Sequence, residues 1–207
     1  DNGSWMGPSA VWHVGGIRNE DWQEVLFGDG FDVQPTGDGE LYAMYQGGAV
    51  QRVDVATLGA TDVQPASPDS IALRFAWNGA MSLDPEDRDG LYFGSQRLHY
   101  SSDRGRSWET LSSDLTTNDP AKLEQATSGG LTIDATKAEN HCTLLSIAPV
   151  GQRPNEIWVG TDDGRLQHTK DRGQTWTDHS GQLKGLPKGS WIPQIHVSVH
   201  NPDEVYV

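Results

Sequence analysis

Four aspartates lie in short, glycine-rich turns, where two of them could act together on a substrate. Asp1 begins the sequence DNG, Asp29 lies in FGDGF, and Asp162 and Asp163 form the pair in TDDG. Hydrolysis of a glycosidic bond needs two carboxyl groups roughly 5 to 9.5 Å apart, one of them with a raised pKa. Asp29, Asp162 and Asp163 are therefore the candidate catalytic residues. Aspartate is also an ordinary hairpin-turn residue, so a purely structural role is the alternative.

Polar side chains in these turns could instead bind a ligand without chemistry. The candidate ligand-binding residues are Asp1, Asn2, Gln46 in YQGG, Gln96 in GSQ, Asp162 and Asp163. Such a site would hold a peptide, a protein or a polysaccharide. Binding without turnover and hydrolysis by two aspartates are thus the two functional hypotheses.

The overall charge excludes one large class of partner. The formal net charge is −14, and only 15 lysines and arginines are spread over 207 residues. Nucleic acid binding requires clustered cations that neutralise phosphates. No apolar run approaches the ~20 residues that span a bilayer. We therefore expect neither nucleic acid binding nor direct insertion into a membrane.

No motif for a metal or a cofactor is present in the sequence. The acidic loop DPEDRDG, residues 84–90, is similar to part of a calcium loop but lacks the later bidentate glutamate. Cys142 is the single cysteine, which excludes a multi-cysteine zinc site. His141 and Cys142 are neighbours, and neighbours on a strand point to opposite faces, so a structural role is favoured over a catalytic pair. We expect no cofactor and no metal.

Two octets with the same spacing form the strongest pattern in the chain. SSDRGRSW spans residues 101–108 and TKDRGQTW spans residues 169–176. In each octet we expect the acid to cap backbone N–H groups of a tight turn and the first hydroxyl to add a local hydrogen bond. The glycine supplies a positive φ, and the tryptophan covers the turn. The structural residues so predicted are Ser101, Asp103, Gly105, Trp108, Thr169, Asp171, Gly173 and Trp176.

The octets belong to a longer repeat of short strands, which includes LYAMY, LYFGS, IWVGT and VYV. Short β-branched and aromatic strands between Gly, Asp and Asn turns are typical of antiparallel meanders, and four strands per unit match a propeller blade. The predicted fold is therefore all-β, a β-propeller of four-stranded antiparallel blades. The predicted division is a half blade at 1–30, blades at 31–64, 72–112 and 142–180, an insertion at 113–141 and a half blade at 190–207. The blade at 31–64 has QRVDVATLG in place of an octet, so Asp54 must close that hairpin differently.

The octets resemble the Asp-box, or BNR repeat, of β-propellers such as sialidases, xyloglucan-degrading glycosidases and sortilin-type sorting receptors. The wider sequence, with DNGSWMGPS, LYAMYQGG and IWVGTDDG, is most similar to large bacterial propellers related to the sortilin N-terminal domain that carry a glycosyl hydrolase label. The resemblance implies a ligand-binding propeller outside the cytoplasm, periplasmic or secreted, with glycoside hydrolysis by two rim aspartates as the alternative. It also favours a part of a larger propeller over a four-bladed ring closed by the two half blades.

Blade topology predicts which residues share a face of the propeller. Turns between second and third strands and connections between blades lie on one face, and the octets lie on the other. We expect the functional site on the first face, with residues 113–141 as a flap or partner surface. Converging acids there would favour cationic or polyhydroxyl ligands over anionic ones. Arg104 and Arg172 belong to the octets, so the arginine cluster of a sialidase is not expected.

Overall fold

A computed structural model describes residues 2–124 and 140–207 of the chain. Asp1 and residues 125–139, which make up half of the predicted insertion, lie outside the described residues. The described chain is all-β, with three four-stranded antiparallel sheets and two two-stranded sheets. This is the blade architecture of a β-propeller.

The strands are β1 (Ser4–Met6), β2 (Gln23–Leu26), β3 (Val33–Pro35), β4 (Glu40–Tyr45), β5 (Ala49–Asp54), β6 (Ala60–Asp62), β7 (Met81–Leu83), β8 (Leu91–Gly94), β9 (Leu98–Ser101), β10 (Glu109–Thr110), β11 (Leu144–Pro149), β12 (Ile157–Thr161), β13 (Leu166–Thr169), β14 (Thr177–Asp178), β15 (His196–Val197) and β16 (Val205–Tyr206). Short 3₁₀ turns cover Asn19–Asp21, Gln46–Gly48, Pro120–Lys122 and Ser180–Gln182. Consecutive strands pair within each sheet, so β3–β6, β7–β10 and β11–β14 are simple meanders. β1 pairs with β2, and β15 pairs with β16.

The second strand of each blade lies in the core because both faces of a blade are covered by its neighbours. β8 is buried along its whole length, including Leu91 and Phe93. Gly94 ends β8 at a point where the next blade comes very close, since a Cβ on Gly94 would lie 2.8 Å from the Cβ of Leu144. The aromatic and branched residues of LYAMY, LYFG and IWVGT thus fill the space between blades.

The octets form the hairpins between third and fourth strands. Asp103 accepts a hydrogen bond from the backbone N–H of Ser107 at 2.8 Å, and the hydroxyl of Ser101 accepts one from the N–H of Gly105 at 2.7 Å. In the second octet, Asp171 accepts from the N–H of Thr175 and Thr169 accepts from the N–H of Gly173 in the same way. The hydrogen bonds from Ser107 hold the pKa of Asp103 at about 2. The two octets therefore use the same internal bonds.

Each octet glycine also contacts the preceding blade. Gly105 has a φ of 80°, and a Cβ on it would lie 2.6 Å from the Cβ of Val63, just after β6. Gly173 has a φ of 87°, and its Cβ would lie 2.2 Å from the carbonyl oxygen of Leu111, just after β10. Trp108 donates its indole N–H to the carbonyl oxygen of Val63 at 3.0 Å. Glycine is thus needed both for its backbone conformation and for the close packing of blades.

The arginine of each octet joins the same boundary between blades. Arg104 forms ion pairs with Asp38 at 2.8 Å and with Glu40 at 2.6 Å, both in the preceding blade. Arg172 lies over the ring of Tyr100 at 4.7 Å. These guanidinium groups are engaged in packing on the octet face, away from the turns expected to form the site.

The blade made of β3–β6 closes its outer hairpin without an octet. Asp54 accepts hydrogen bonds from the backbone N–H groups of Ala56 at 3.0 Å and Thr57 at 2.8 Å. Leu58 then takes a positive φ of 58°. An aspartate caps this turn too, but the turn is shorter and has no tryptophan.

Candidate functional site

In each four-stranded blade, a side chain that follows the second strand bonds to the backbone that leads into the first strand. Gln46 accepts a hydrogen bond from the N–H of Asp29 at 3.1 Å. Gln96 accepts one from the N–H of Arg74 at 2.8 Å. Asp162 makes the corresponding bond in the third blade. We call these three contacts the latches, because each one holds the incoming segment of its own blade.

Asp162 forms its latch in the interior of the protein. The side chain accepts hydrogen bonds from the N–H of Thr143 at 2.9 Å and from its hydroxyl at 2.7 Å. Nδ1 of His141 lies 3.7 Å away and has no hydrogen-bond partner among the described residues. Burial raises the pKa of Asp162, although the bonds from Thr143 and the nearby His141 act in the opposite direction. Asp162 is only 2% exposed, so its carboxyl group faces the protein interior.

Asp163 points the other way and holds the start of the predicted insertion. One carboxylate oxygen accepts from the N–H of Thr117 at 2.7 Å and from its hydroxyl at 2.6 Å. The second oxygen accepts from the hydroxyl of Thr161 at 2.5 Å. Burial favours a higher pKa, but the hydrogen bonds from Thr117 and Thr161 lower the pKa of Asp163 below its ordinary value. Asp163 therefore stays ionised and ties two loops together.

A cleft of about 780 Å³ opens beside Asp163. Its walls are the turn between β12 and β13, the segment that follows β10, and the connection that follows β14. The lining residues are Thr117, Asp119, Lys122, Asp163, Gly164, Arg165, Ser180, Lys188 and Gly189. All three walls belong to the face that blade topology separates from the octets.

The cleft is lined by charged groups of both signs. Lys122 and Lys188 line it, and neither forms an ion pair with any residue that the structure describes. Arg165 also lines the cleft and is paired with Asp178 outside it. Asp119 and Asp163 line the cleft as well, so lysines that the turn motifs do not include stand beside the expected acids.

Two glycines bring the walls of the cleft together. Gly164 has a φ of 87° and Gly189 a φ of 78°. A Cβ on Gly164 would lie 2.8 Å from Cα of Gly189, so the two backbones are in contact. Within residues 2–124 and 140–207, the N–H groups of these glycines donate to no protein acceptor. Unpaired N–H groups beside left-handed residues are typical of concavities that hold anions.

A second concavity, of about 650 Å³, lies along the first strands of successive blades, which form the central channel. It is lined by Phe31 and Asp32 before β3, by Asn78 before β7 and by Gln194 before β15. Asp32 accepts a hydrogen bond from the side chain of Gln34 at 2.7 Å. This wall is polar, but the cations of the cleft do not reach it.

The structure brings together only some of the predicted site residues. Asp29 and Gln46 lie together at the blade of β3–β6, and the whole blade of β7–β10 separates them from Asp163. Asn2 is exposed, and its carbonyl oxygen accepts the indole N–H of Trp5. Gln96 is buried, with its amide bonded to the backbone of the segment before β7. Asp1 lies outside the described residues.

Sequence patterns do not single out Thr117, Lys122 or Lys188 as binding residues. Thr117 and Lys122 fall in the segment expected to form a flap, which was the only signal for them. Lys188 lies in the loop GLPKGS, whose glycines and proline predict a turn but no ligand. Cys142 is fully buried, and burial raises the pKa of its thiol to about 11, so it remains a thiol at neutral pH.

None of the helices in the described part of the chain has the length and apolar character needed to cross a bilayer. No protein-family model and no curated protein matches the chain.

Several solved structures are similar at low identity. The structure of YCF48 bound to D1 peptide is 13% identical, covering 86% of this chain and 43% of that one, with a TM-score of 0.45. The GH74 xyloglucanase from Xanthomonas campestris is 15% identical, covering 73% and 22%, with a TM-score of 0.47. The extracellular domain of a hybrid two component system from B. thetaiotaomicron is 14% identical, covering 81% and 21%, with a TM-score of 0.49. The chain thus spans less than half the length of each of these three proteins. Its three four-stranded meanders have the architecture of β-propeller blades.

Proposed function

We propose that this chain is a ligand-binding β-propeller of the sortilin-like type and that its ligand site is the cleft beside Asp163. The observation that carries the proposal is the cleft itself, an open concavity on the face opposite the octets with charged groups that have no partner in the described chain. The ligand is a segment of a peptide, a protein or a polysaccharide. The resemblance of the octets to Asp-box hairpins supports this assignment and a location outside the cytoplasm.

Binding is favoured over hydrolysis because the rim aspartates are occupied within the protein. Both oxygens of Asp162 accept hydrogen bonds from Thr143, and Asp162 does not line the cleft. Both oxygens of Asp163 accept bonds from threonines. A general acid or a nucleophile must reach the scissile bond directly. Neither carboxyl group is free to do so in this arrangement.

One observation favours glycoside hydrolysis as a second candidate. The pKa of Asp162 is raised, mainly by burial, whereas the hydrogen bonds to Asp163 lower the pKa of that neighbour. Environments that separate the pKa values of two carboxyl groups are typical of acid and base pairs. Hydrolysis would require the Thr143 contact to open so that Asp162 reaches the substrate.

A library screen tests the proposed function. The immobilised protein is exposed to peptide and glycan libraries, and both retention and released reducing ends are measured. We expect retention without released ends, and we expect Lys188→Trp to abolish retention because the indole fills the mouth of the cleft. Lys184→Trp is the matched control, since Lys184 is exposed on the same connection but does not line the cleft. Equal retention by Lys188→Trp and the wild type would place the site elsewhere, and released ends would establish the hydrolase.

A further inference from the structure

The distribution of lysines sets this cleft apart from the rest of the molecule. The chain has a formal net charge of −14 and only five lysines, namely Lys122, Lys137, Lys170, Lys184 and Lys188. Lys122 and Lys188 meet at the cleft from two different connections. The net charge of the chain repels an acidic ligand, whereas these two lysines can attract one to the cleft.

We propose that the cleft binds the carboxylates of an acidic peptide segment, an inference that rests on the proposed function. Nζ of Lys122 lies 3.9 Å from the position that a Cβ on Gly189 would occupy, so the ammonium group faces the glycine floor. The N–H groups of Gly164 and Gly189 lack protein acceptors within the described residues. A carboxylate placed between Lys122 and this floor gains a charged donor and neutral donors together.

Two carboxylates also line the cleft, and each accepts hydrogen bonds from neighbouring groups of the protein. Asp163 directs both of its oxygens to threonine donors. Asp119 accepts a hydrogen bond from the N–H of Ala121 at 3.0 Å, which caps the 3₁₀ turn Pro120–Lys122. The guanidinium of Arg165 is held by Asp178. Lys122 and Lys188 are therefore the cations of the lining that have no ion-pair partner among the described residues, and the oxygens of Asp163 and Asp119 are directed to their own donors.

A peptide is favoured over an acidic polysaccharide because the lining contains no aromatic ring among the residues that the structure describes. Carbohydrate sites commonly present an aromatic side chain whose apolar face covers a sugar ring. Exposed backbone N–H groups suit an extended peptide, whose carbonyl groups and side-chain carboxylates can both accept from them.

Three labelled decapeptides test the inference: one of alternating Glu and Gly, one of Gln and Gly, and one of Lys and Gly. Binding is measured by fluorescence anisotropy at low and high salt. We expect the Glu peptide alone to bind and its affinity to fall with salt, because these exposed charges are screened over roughly 10 Å at 0.1 M salt. A hyaluronan oligosaccharide of similar charge is the polysaccharide arm and is expected to bind more weakly than the Glu peptide.

Two double variants distinguish the effect of the cleft lysines on binding from the effect of the overall net charge. Lys122→Glu/Lys188→Glu is expected to weaken binding of the Glu peptide roughly tenfold or more, since two partly exposed attractions become repulsions. Lys170→Glu/Lys184→Glu changes the net charge equally at exposed lysines outside the cleft and is expected to change the affinity less than about twofold. Thermal unfolding of both variants confirms that each is folded.

The outcomes distinguish this inference from the proposed function. If the library screen finds a ligand that Lys188→Trp loses, but the Glu peptide fails to bind or Lys122→Glu/Lys188→Glu binds it normally, the acidic-peptide inference is wrong and the proposed site stands. Tighter binding of the hyaluronan oligosaccharide than of the Glu peptide also overturns the choice of peptide. If no ligand is retained at all, the proposed function itself fails.

Discussion

His99 is fully buried, with Nε2 2.8 Å from the hydroxyl of Ser95 and Nδ1 3.2 Å from that of Thr110. Burial, assisted by nearby Arg97, lowers the pKa of His99 to about 4. An unfolded histidine titrates near pH ~6.5. Between these two values the unfolded chain binds a proton that the folded chain does not, so His99 makes the folded protein less stable as the pH falls.

We predict that this loss disappears in His99→Gln. Between pH 7 and pH 4 the wild type should lose on the order of 2–3 kcal/mol more unfolding free energy than the variant. Urea unfolding at closely spaced pH values measures the difference. His196→Gln, at an exposed histidine, should keep the wild-type slope. Parallel profiles for the wild type and His99→Gln would show that another group carries the dependence.

Asp162 and Asp163 are neighbours, but we predict that replacing Asp162 mainly lowers stability and that replacing Asp163 mainly weakens ligand retention. Asp162→Ala leaves the buried N–H of Thr143 without its acceptor and should cost about 1–3 kcal/mol of stability with little effect on ligand retention. Asp163→Ala frees the exposed Thr117, whose N–H can turn to water, and the hydroxyl of Thr161 keeps the carbonyl oxygen of Arg165 as an acceptor, so its stability cost should be smaller. It should weaken ligand retention more, because a wall of the cleft is no longer held. Equal effects of both variants on ligand retention would show that Asp163 has no special role in the ligand site.

Turn residues show where sequence reasoning about single positions reaches its limit. TDDG and YQGG predict turns correctly, but a glutamine or aspartate in such a turn looks the same whether it meets a ligand or a backbone N–H. Gln46, Gln96 and Asp162 make latches because each accepts from a segment between 17 and 22 residues earlier in the chain, as the bonds to Asp29, Arg74 and Thr143 show. These pairs form because the blade brings two distant segments together, and the local sequence does not indicate which segments meet.

A glycine in each octet hairpin packs against the preceding blade. Gly37, which has a positive φ but no such contact in the described part of the chain, is a control for this packing role. Gly173→Ala should cost about 3 kcal/mol or more, because its Cβ would lie 2.2 Å from the carbonyl oxygen of Leu111. Gly37→Ala has a similar φ of 80°, and no atom of the described residues lies within 4 Å of the added Cβ, so it should cost only about 1 kcal/mol. Urea unfolding of both variants measures the contrast. Equal costs would mean that the backbone conformation alone requires glycine at 173.

Strands and octet hairpins follow from the sequence because their determinants are local. Alternation of apolar residues and the repeated spacing of hydroxyl, acid, glycine and tryptophan act within one blade. The connections are harder to predict. Residues 180–190 contain glycine, proline and lysine in a pattern that fits any solvated loop, and their approach to Asp163 depends on how the blade of β11–β14 meets the segment that follows β10.

The sheets should differ in how readily they open. β7–β10 and β11–β14 are four-stranded and contain the fully buried Phe93 and Leu144, whereas β1–β2 and β15–β16 are two-stranded. A two-stranded sheet is marginal by itself. We predict that amide hydrogen exchange is slowest in β8, β9, β11 and β12 and fastest in β15–β16. Comparable protection in β15–β16 and β12 would show that the edges of the described chain are as stable as its centre.

The division of the propeller into two faces follows from topology, but the sign of the charge on a face does not. Topology fixes which strand ends point the same way, and the turns and connections meet as expected in the contact between Asp163 and Thr117. Charge is set by side chains on connections that the repeat does not constrain. Lys122 and Lys188 therefore add positive charges that counting turn aspartates does not predict.

The contact between an octet glycine and the preceding blade has a consequence for how such a chain can grow. The blade of β7–β10 carries a glycine, Gly105, that inserts into the blade before it, and a receiving position, Leu111, that accepts the glycine of the blade after it. An in-frame duplication of one blade would therefore supply both halves of the new joint at once. A change of blade number by whole units would therefore retain this glycine contact, and the connections that bear the cleft lie apart from it.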